Sequence, residues 1–278
     1  NYGKVKSRLF TKEYAKMAVL NVDDSLGQKI ENECELPTIT YALENPADCF
    51  AIDISKNYFG SKFVLNLMDS VINCEINLPG KFNIYNALAA SSAAISLGID
   101  CKYIQKGLLS LKEVAGRFNP VPLVTGAYAI IDFAHTPDGI KNILTAIKEL
   151  NPKRLITVFG CGGNRDKGKR PLMGEIAEKL SDFTIITSDN PRFENPELII
   201  ADVERGMITD KFVRIVDRTK AVEVAINLSR KGDIVAILGK GAEKYQDING
   251  VKSPYSDFEV INKTNDKIAK ILAQVEGK

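Results

Sequence analysis

The sequence lacks several patterns that mark common functional classes. Its five cysteines include no Cys-x-x-Cys pair, which argues against a zinc site or a redox dithiol. Their odd number is typical of reduced thiols in a cytoplasmic protein. No Gly-x-x-x-x-Gly-Lys-Ser/Thr loop occurs, and no Gly-x-Gly-x-x-Gly follows the early strands, which argues against a nicotinamide oxidoreductase. Acidic and basic residues are mixed, with a net charge of +2, and no apolar stretch is long enough to span a bilayer. We therefore expect neither a nucleic acid nor a membrane as partner.

The second part of the chain has the alternation of a parallel α/β sheet. With 278 residues, 45% of them hydrophobic, there is room for one large domain or two medium ones. From about Gly116 onward, apolar runs alternate with helical patterns, which predicts βαβ units in a doubly wound, Rossmann-like domain. The predicted strands are Tyr128–Phe133, Leu155–Phe159, Phe183–Thr187, Val213–Val216 and Ile234–Leu238, and the predicted helices are Asp138–Leu150, Pro171–Leu180, Pro196–Met207 and Thr219–Ser229.

The first part of the chain has a different pattern. One strand is followed by an antiparallel meander and then by two helices. Because this part has too few parallel units for a complete α/β domain, we interpret it as the second half of one. The predicted domains are therefore residues 1–115 and 116–278. The predicted elements of the first are the strands Ala18–Val22, Cys49–Ser55, Lys62–Leu67 and Val71–Leu78 and the helices Asn83–Leu97 and Lys102–Leu111.

Three polar loops follow predicted strands of the second part, at Gly160–Arg170, Ser188–Arg192 and Gly239–Glu243. In an open parallel sheet, ligands bind outside the carboxyl ends of the strands. Glycines there let backbone N–H groups approach an anion, and arginine suits a carboxylate or phosphate. The alternative for each loop is a solvated turn. The residues that favour a ligand are Arg165, Lys167, Lys169 and Arg170 for an anion and Glu243 for an ammonium group.

Four further polar residues lie next to predicted helices. His135, the one histidine of the sequence, precedes a helix whose N-terminus could face an anion, although a lone histidine is usually structural. Asp132 in the same turn could accept a hydrogen bond from a sugar hydroxyl. Asn83 either caps the alanine-rich helix or, with Asn86 one turn further on, contacts a base edge. The residues alone leave these alternatives open.

A series of motifs runs in order along nearly the whole chain. They are Tyr-x-x-x-Lys from Tyr2, Asn-x-Asp-Asp from Asn21, Gly-x-Phe-Asn-x-x-Asn-Ala from Gly80, Gly-Arg from Gly116, Asp-Phe-Ala-His-Thr-Pro from Asp132, Phe-Gly-Cys-Gly-Gly-x-Arg-Asp-x-Gly-Lys-Arg-Pro from Phe159, Asp-Asn-Pro-Arg from Asp189 and Gly-Lys-Gly-x-Glu from Gly239. Together they resemble the Mur ligases of bacterial cell-wall synthesis, specifically the MurE type. The resemblance implies part of a central ATPase domain followed by the amino-acid-binding domain.

The resemblance also implies an activity. It is the ATP-dependent ligation of meso-diaminopimelate to UDP-MurNAc-L-Ala-D-Glu through an acyl phosphate, with Mg²⁺ stabilising the developing charge. By position, Lys6 is similar to the lysine that family members carbamylate to support magnesium. Asn83 and Asn86 match the adenine side of the ATP site, and Arg117 and Asp132 match groups near its phosphates and ribose. We place His135 with Lys6 and Arg117 among the catalytic groups.

The remaining matches concern the incoming amino acid. The positions that hold it in the family correspond to Arg165, Asp189, Asn190, Arg192, Gly239 and Glu243. Asp-Asn-Pro-Arg resembles the form that selects diaminopimelate, because Arg192 suits its second carboxylate and would repel the side-chain ammonium of lysine. The alternatives are a sister ligase that adds lysine or another diamino acid, and a non-catalytic amino-acid-binding remnant.

The sequence departs from the family pattern in three ways. Ala242 stands where the family has histidine, and Phe258 stands where an arginine is expected. The family's P-loop and its UDP-sugar-binding domain have no counterpart in the sequence, and Asn1 is the first residue. We therefore expect a C-terminal portion of a monomeric enzyme, inactive by itself.

Overall fold

The computed structural model describes residues 2–276, so Asn1, one of the observations behind the expectation of a partial chain, lies outside the described residues. The chain divides into two compact units, Asn1–Lys112 and Glu113–Lys278, which we call unit 1 and unit 2. The sequence predicts that the first domain ends at residue 115, and the first unit of the structure ends at residue 112. Between residues 2 and 276, no helix has both the length and the apolar character needed to cross a bilayer.

Unit 1 is built on a five-stranded sheet. Its elements are α1 (Tyr2–Ser7), β1 (Ala18–Asn21), α2 (Ser25–Glu33), β2 (Thr38–Ala42), β3 (Cys49–Asn57), β4 (Gly60–Leu67), β5 (Ser70–Ile76), α3 (Lys81–Ser96) and α4 (Cys101–Ser110). β1, β2 and β3 are parallel, whereas β3, β4 and β5 form the predicted antiparallel meander. Phe63 and Leu65 of β4 share a hydrophobic core with Ile84 and Leu88 of α3.

The sequence pattern does not predict β2 and α2. β2 is only five residues long and follows directly after Pro37. α2 is a polar helix in which Gly27 and Ile30 are the buried residues, so its apolar stripe is too narrow to read from periodicity. Its beginning is fixed by Asp24, whose carboxylate accepts from the backbone N–H of Leu26 at 2.9 Å.

Unit 2 is built on a six-stranded sheet in the order β10-β9-β8-β11-β7-β6. Its elements are β6 (Asn119–Pro122), β7 (Tyr128–Asp132), α5 (Pro137–Lys148), β8 (Leu155–Phe159), α6 (Lys169–Leu180), β9 (Phe183–Ile186), α7 (Pro196–Glu204), β10 (Phe212–Arg214), α8 (Arg218–Leu228), β11 (Ile234–Leu238), β12 (Tyr245–Ile248), β13 (Val251–Pro254) and α9 (Asp257–Glu276). All neighbouring strands of the sheet are parallel except the edge strand β6. β8 and β11 are buried along their whole length, as strands covered on both faces are.

The connections of unit 2 place helices on both faces of its sheet. The chain crosses the sheet in one direction from β7 to β10, and because such crossovers are right-handed, α5, α6 and α7 share one face. It then returns through α8 to β11, which inserts between β8 and β7, so α8 and α9, which pack together, cover the other face. The predicted doubly wound sheet is confirmed. This order also makes the carboxyl ends of β9, β8, β11 and β7 neighbours.

Several details of unit 2 differ from the sequence-based expectation. β6 contains Pro120 and Pro122. An edge strand tolerates these prolines, but their presence argues against a strand when only the sequence is considered, so β6 is not predicted. The hairpin β12–β13 and the helix α9 are not predicted. The helix predicted at Pro196–Met207 ends at Glu204, and the strand predicted at Val213–Val216 is Phe212–Arg214, because β10 is a short edge strand.

Candidate functional site

The loops that follow β7, β8, β9 and β11 surround one cavity of about 380 Å³ in unit 2. All six residues that the family resemblance assigns to the amino acid line this cavity, together with His135. The six are Arg165, Asp189, Asn190, Arg192, Gly239 and Glu243. The sheet order therefore brings together side chains that lie far apart in the sequence, and their binding role stays a prediction.

Glycines allow the loops after β8 and β9 to pack backbone against backbone. A Cβ atom on Gly163 would lie 1.9 Å from the carbonyl oxygen of Pro191, and one on Gly160 would lie 2.3 Å from that of Thr187. The N–H of Gly163 also donates to the carbonyl of Asn190 at 2.9 Å. The two loops thus form one continuous wall of the cavity.

One part of the cavity is anionic. Asp189 is buried, and its Oδ2 accepts no hydrogen bond from any residue between 2 and 276. Burial raises the pKa of this carboxyl, although Arg218 and Lys240 oppose the shift. The nearest cationic atoms, Arg218 Nη1 and Lys240 Nζ, each lie 4.0 Å from an Asp189 oxygen. A buried acceptor without a donor costs about 1–3 kcal/mol, so Asp189 can gain from a ligand that donates.

Asn190 and Glu243 adjoin Asp189. The Asn190 Nδ2 donates to Glu243 Oε2 at 2.9 Å, and the fully buried Lys240 donates to Asn190 Oδ1 at 2.8 Å and to the same Glu243 oxygen at 3.2 Å. Gly239 is needed beside them because its φ is +112° and a Cβ atom there would lie 2.7 Å from Asp189 Oδ2.

Another part of the cavity is cationic. Arg165 is exposed in the loop after β8 and lines the cavity. Arg192 is half-buried, and its Nη1 donates to the carbonyls of Gly163 at 2.8 Å and Asn190 at 3.5 Å. Because both bonds fall on Nη1, the Nε and Nη2 atoms of Arg192 are the pair of donors it can offer to a carboxylate.

The basic cluster predicted in the loop after β8 does not act as a single anion site. Arg170 is only 2% exposed and donates to both carboxylate oxygens of Glu194 at 2.9 and 3.0 Å and to Asp202 at 2.9 Å. Lys167 pairs with Glu194 at 3.5 Å, and Lys169 pairs with Asp166 at 3.9 Å. Arg170 lines the cavity, but carboxylates from the loop after β9 and from α7 already neutralise its charge, and its role toward an anion stays a prediction.

The residues of unit 2 that the resemblance assigns to ATP lie around the end of β7. Asp132 is buried, and its two oxygens accept from the backbone N–H groups of Phe118 at 2.9 Å and Ala134 at 2.8 Å. Burial raises the pKa of its carboxyl. The exposed Arg117 guanidinium lies 5.1 Å from the ring centre of Phe133, and the exposed His135 Nδ1 lies 2.9 Å from the Phe133 carbonyl oxygen.

The residues of unit 1 assigned to ATP and metal are Lys6, Asn83 and Asn86. Lys6 is exposed on α1. α3 begins at Lys81, so the alternative that Asn83 caps this helix is wrong; its Nδ2 instead donates to the carbonyl of Pro79 at 2.8 Å. The exposed Asn86 donates to Asn83 Oδ1 at 3.2 Å. Nowhere from residue 2 to residue 276 do three or more His, Cys, Asp or Glu side chains come together as a metal site.

Sequence-based reasoning missed two buried cations beside the cavity. Lys240 lies between the two glycines of a recognised motif, but nothing local shows that its ammonium is buried. Arg218, the first residue of α8, is fully buried and donates to both oxygens of Asp257 at 2.9 and 2.8 Å. Its partner lies 39 residues further on, so no spacing pattern indicates the pair.

Comparisons with known proteins show which family this chain is similar to. The Mur ligase middle domain matches residues 1–94, and the family described as "Mur ligase, glutamate ligase domain" matches residues 116–241. Relatives from Syntrophomonas wolfei and Caldanaerobacter subterraneus are 43% and 42% identical over 94% and 99% of this chain. Both are named UDP-N-acetylmuramoyl-L-alanyl-D-glutamate–2,6-diaminopimelate ligase. The alignments cover 54% and 56% of these relatives, so the chain spans about half of their length.

Solved structures of related ligases have the same fold. A UDP-N-acetylmuramoyl-L-alanyl-D-glutamate–2,6-diaminopimelate ligase aligns with a TM-score of 0.62 and 35% identity over 96% of this chain and 56% of its own. MurF ligase from Thermotoga maritima, solved in complex with ADP, aligns with a TM-score of 0.64 over 91% of this chain and 54% of its own, at 18% identity. The resemblance noted in the motifs is confirmed: the chain belongs to the Mur ligase family and carries its middle and C-terminal domains.

Proposed function

We propose that this chain serves an ATP-dependent ligation that adds meso-diaminopimelate to UDP-MurNAc-L-Ala-D-Glu, and that unit 2 holds the diaminopimelate. One observation carries the proposal: a single cavity presents arginines on one part and carboxylates on another. Each end of diaminopimelate has a carboxylate next to an ammonium group, so its non-reacting end needs both kinds of partner. The relatives that bear this activity in their names are about 40% identical to the chain.

The ammonium group at the non-reacting end would bind beside Asp189 and Glu243. The buried Oδ2 of Asp189 has no donor among residues 2–276, and an ammonium group supplies three. Binding there would remove the penalty of an unsatisfied buried acceptor. It would also bring a positive charge next to a carboxyl whose pKa burial has raised.

The carboxylate at the same end would bind to Arg192, with Arg165 at the open side of the cavity. The planar Nε and Nη2 donors of Arg192 match the two oxygens of a carboxylate. Lysine has an ammonium group but no carboxylate at this end, so it would leave Arg192 without a partner. The geometry therefore favours diaminopimelate over lysine.

ATP and Mg²⁺ enter the proposal through the family. Mur ligases depend on ATP, which supplies the phosphoryl group that activates the carboxylate. Asn86 is exposed and can offer its carboxamide to a base edge, whereas the carboxamide of Asn83 is committed to Pro79 and Asn86. Both oxygens of Asp132 are engaged by backbone, so a ribose hydroxyl would have to share them. We propose that Lys6 is a magnesium ligand only in its carbamylated form. We also propose that the enzyme is a cytoplasmic monomer.

The test is isothermal titration calorimetry of the chain with diaminopimelate and with lysine. We expect wild type to bind diaminopimelate more tightly than lysine. Replacing Arg192→Ala removes charge-assisted hydrogen bonds and should weaken diaminopimelate binding by about tenfold to a hundredfold. It should weaken lysine binding much less, because lysine does not use Arg192.

The matched control is Arg230→Ala, an exposed arginine that precedes the amino end of β11, whereas the cavity lies at the carboxyl ends of the strands. It should change neither affinity. Equal affinity of wild type for both amino acids would contradict the proposed specificity. Equal diaminopimelate binding by wild type and Arg192→Ala would contradict the role of Arg192.

A further inference from the structure

Lys240 is a fully buried cation next to the cavity but is not part of its lining. Its ammonium group donates to Asn190 Oδ1 at 2.8 Å, to Glu243 Oε2 at 3.2 Å and to the carbonyl of Tyr245 at 2.8 Å. An ammonium group has three donors, and these three acceptors match them. Lys240 thus joins two residues of the cavity to the first residue of β12 and cannot itself reach a ligand.

Lys240 determines which way the carboxamide of Asn190 faces. The Oδ1 atom of Asn190 receives the ammonium of Lys240 and, at 2.9 Å, the backbone N–H of Asp247. Both partners can only donate, so the atom that faces them must be the oxygen. The Nδ2 of Asn190 is then necessarily directed to Glu243.

Lys240 also holds the carboxylate of Glu243. Glu243 Oε2 accepts both the bond from Lys240 and the bond from Asn190 Nδ2, so neither of these two donors occupies the other oxygen of Glu243, a residue that lines the cavity. The charge of Lys240 lies 4.0 Å from Asp189 as well, so one buried cation faces two carboxylates. The excess of one negative charge among these three groups complements one incoming ammonium group.

We propose that Lys240 is a positioning residue that sets Asn190 and Glu243 to receive the ammonium group at the non-reacting end of a diamino acid. The proposal rests on the proposed function of unit 2 and extends it. Arg192 would select the carboxylate of that end, whereas Lys240 would select its ammonium group indirectly. Removing Lys240 should therefore affect ligands that carry the ammonium group and spare those that lack it.

The experiment compares diaminopimelate with pimelate, which keeps both carboxylates at the same spacing but has no ammonium group. Dissociation constants are measured on the full chain by calorimetry, or by ligand-observed NMR where binding is weak. The variants are Lys240→Met, which keeps a long side chain without charge, and the matched control Lys244→Met, an exposed lysine on the same loop.

We expect Lys240→Met to weaken diaminopimelate binding by about tenfold to a hundredfold, because the ligand's ammonium group would lose a charge-assisted hydrogen bond to the displaced Glu243. Pimelate binding should weaken by less than about twofold. Lys244→Met should alter neither. In an Asn190→Ala background the same substitution should have a smaller effect, because Lys240 acts partly through Asn190.

A general structural defect would weaken both ligands equally, and that result would overturn the proposal. So would unchanged diaminopimelate binding in Lys240→Met. If this variant does not fold, Lys240→Gln, which retains donors, takes its place in the comparison. Failure of both to fold would show that Lys240 serves stability instead of ligand selection. If wild type itself does not bind diaminopimelate, the proposed function fails and not merely the role of Lys240.

Discussion

Replacing Asp257→Asn is expected to destabilise unit 2 severely. Arg218 and Asp257 are both 0% exposed and make two parallel hydrogen bonds of 2.9 and 2.8 Å. Tyr255 adds a third bond to Asp257 at 2.8 Å, and Arg218 also donates to the carbonyl of Leu238 at 3.0 Å. The pair therefore links the first residues of α8 and α9 to the end of β11, one residue before Gly239.

The expected loss of stability follows from the positive charge of Arg218, which remains after the replacement. Asparagine keeps the shape of Asp257 but leaves the buried guanidinium of Arg218 without its hydrogen-bonded counter-charge, so that among residues 2–276 only Asp189 remains, at 4.0 Å. Burial alone would lower the pKa of Arg218, but Asp257 raises it, so the arginine stays charged in the folded protein. Breaking a buried ion pair by removing one partner costs about 3–5 kcal/mol. That is a large share of the roughly 5–15 kcal/mol by which a domain is stable.

The assay is urea unfolding followed by far-UV circular dichroism, with hydrogen exchange of β11 and α8 to assign the transition to unit 2. The control is Glu259→Gln on the same turn of α9, whose partner Lys263 lies 3.6 Å away with side chains 70% and 80% exposed. It should cost at most about 0.5 kcal/mol. The double replacement Arg218→Met with Asp257→Leu should recover most of the loss, because neither member of the pair is left buried without the other. A loss in Asp257→Asn no larger than that in Glu259→Gln would refute the reasoning.

Two further predictions concern the loops of the cavity. Gly163→Ala should destabilise unit 2 by about 1–3 kcal/mol and weaken diaminopimelate binding, because its Cβ atom would meet the Pro191 carbonyl at 1.9 Å. The control is Gly107→Ala in α4, where an added Cβ atom would meet no atom within 4 Å, so this change should stabilise the chain by about 0.5–1 kcal/mol. Urea unfolding measures both variants. Equal effects on the free energy of unfolding would contradict the close packing at Gly163. Hydrogen bonding from Arg170 holds the pKa of Glu194 at about 2, against 4.5 for the free side chain, so its stabilisation is present above pH 4.5 and is lost as the pH falls toward 2. In urea titrations, the difference in the free energy of unfolding between wild type and Glu194→Gln should therefore shrink as the pH falls from 4.5 to about 2. A difference that stays constant over this range would contradict the role of the Arg170–Glu194 pair.

Local patterns were sufficient to predict the sheet of unit 2 and the place of its cavity. β8 and β11 are predicted to the residue, because strands buried on both faces appear as short apolar runs between polar loops. The convergence of the loops follows from the parallel arrangement of the strands. Edge elements were missed because they lack this pattern, as the two prolines of β6 illustrate.

The charge pairing around the cavity could not be predicted from the sequence. Glu194 and Asp202 neutralise Arg170 from 24 and 32 residues away, and Asn190 meets Lys240 across 50 residues. Clustered basic residues look alike in a sequence whether they face solvent or a buried carboxylate. Both Arg165 and Arg170 line the cavity, and only the three-dimensional arrangement shows that the charge of Arg170 is already paired with Glu194 and Asp202.

The hairpin β12–β13 holds the Asp-Asn-Pro-Arg motif in place, so we expect the proposed specificity of the cavity to depend on both. Arg192 has a φ of +51°, a left-handed conformation that costs a residue with a Cβ atom about 1–2 kcal/mol. The hairpin and its turn hold it there: the N–H of Arg192 donates to Asp247 at 3.0 Å, and its carbonyl accepts from Asn249 at 2.7 Å. Gln246 and the backbone of Asp247 fix Asp189 and Asn190 with bonds of 2.7 and 2.9 Å. Asp189, Asn190 and Arg192, the motif residues that line the cavity, are all tied to this one hairpin. Under the proposed function, changes in residues 245–249 should therefore alter the choice of amino acid even when the motif is intact.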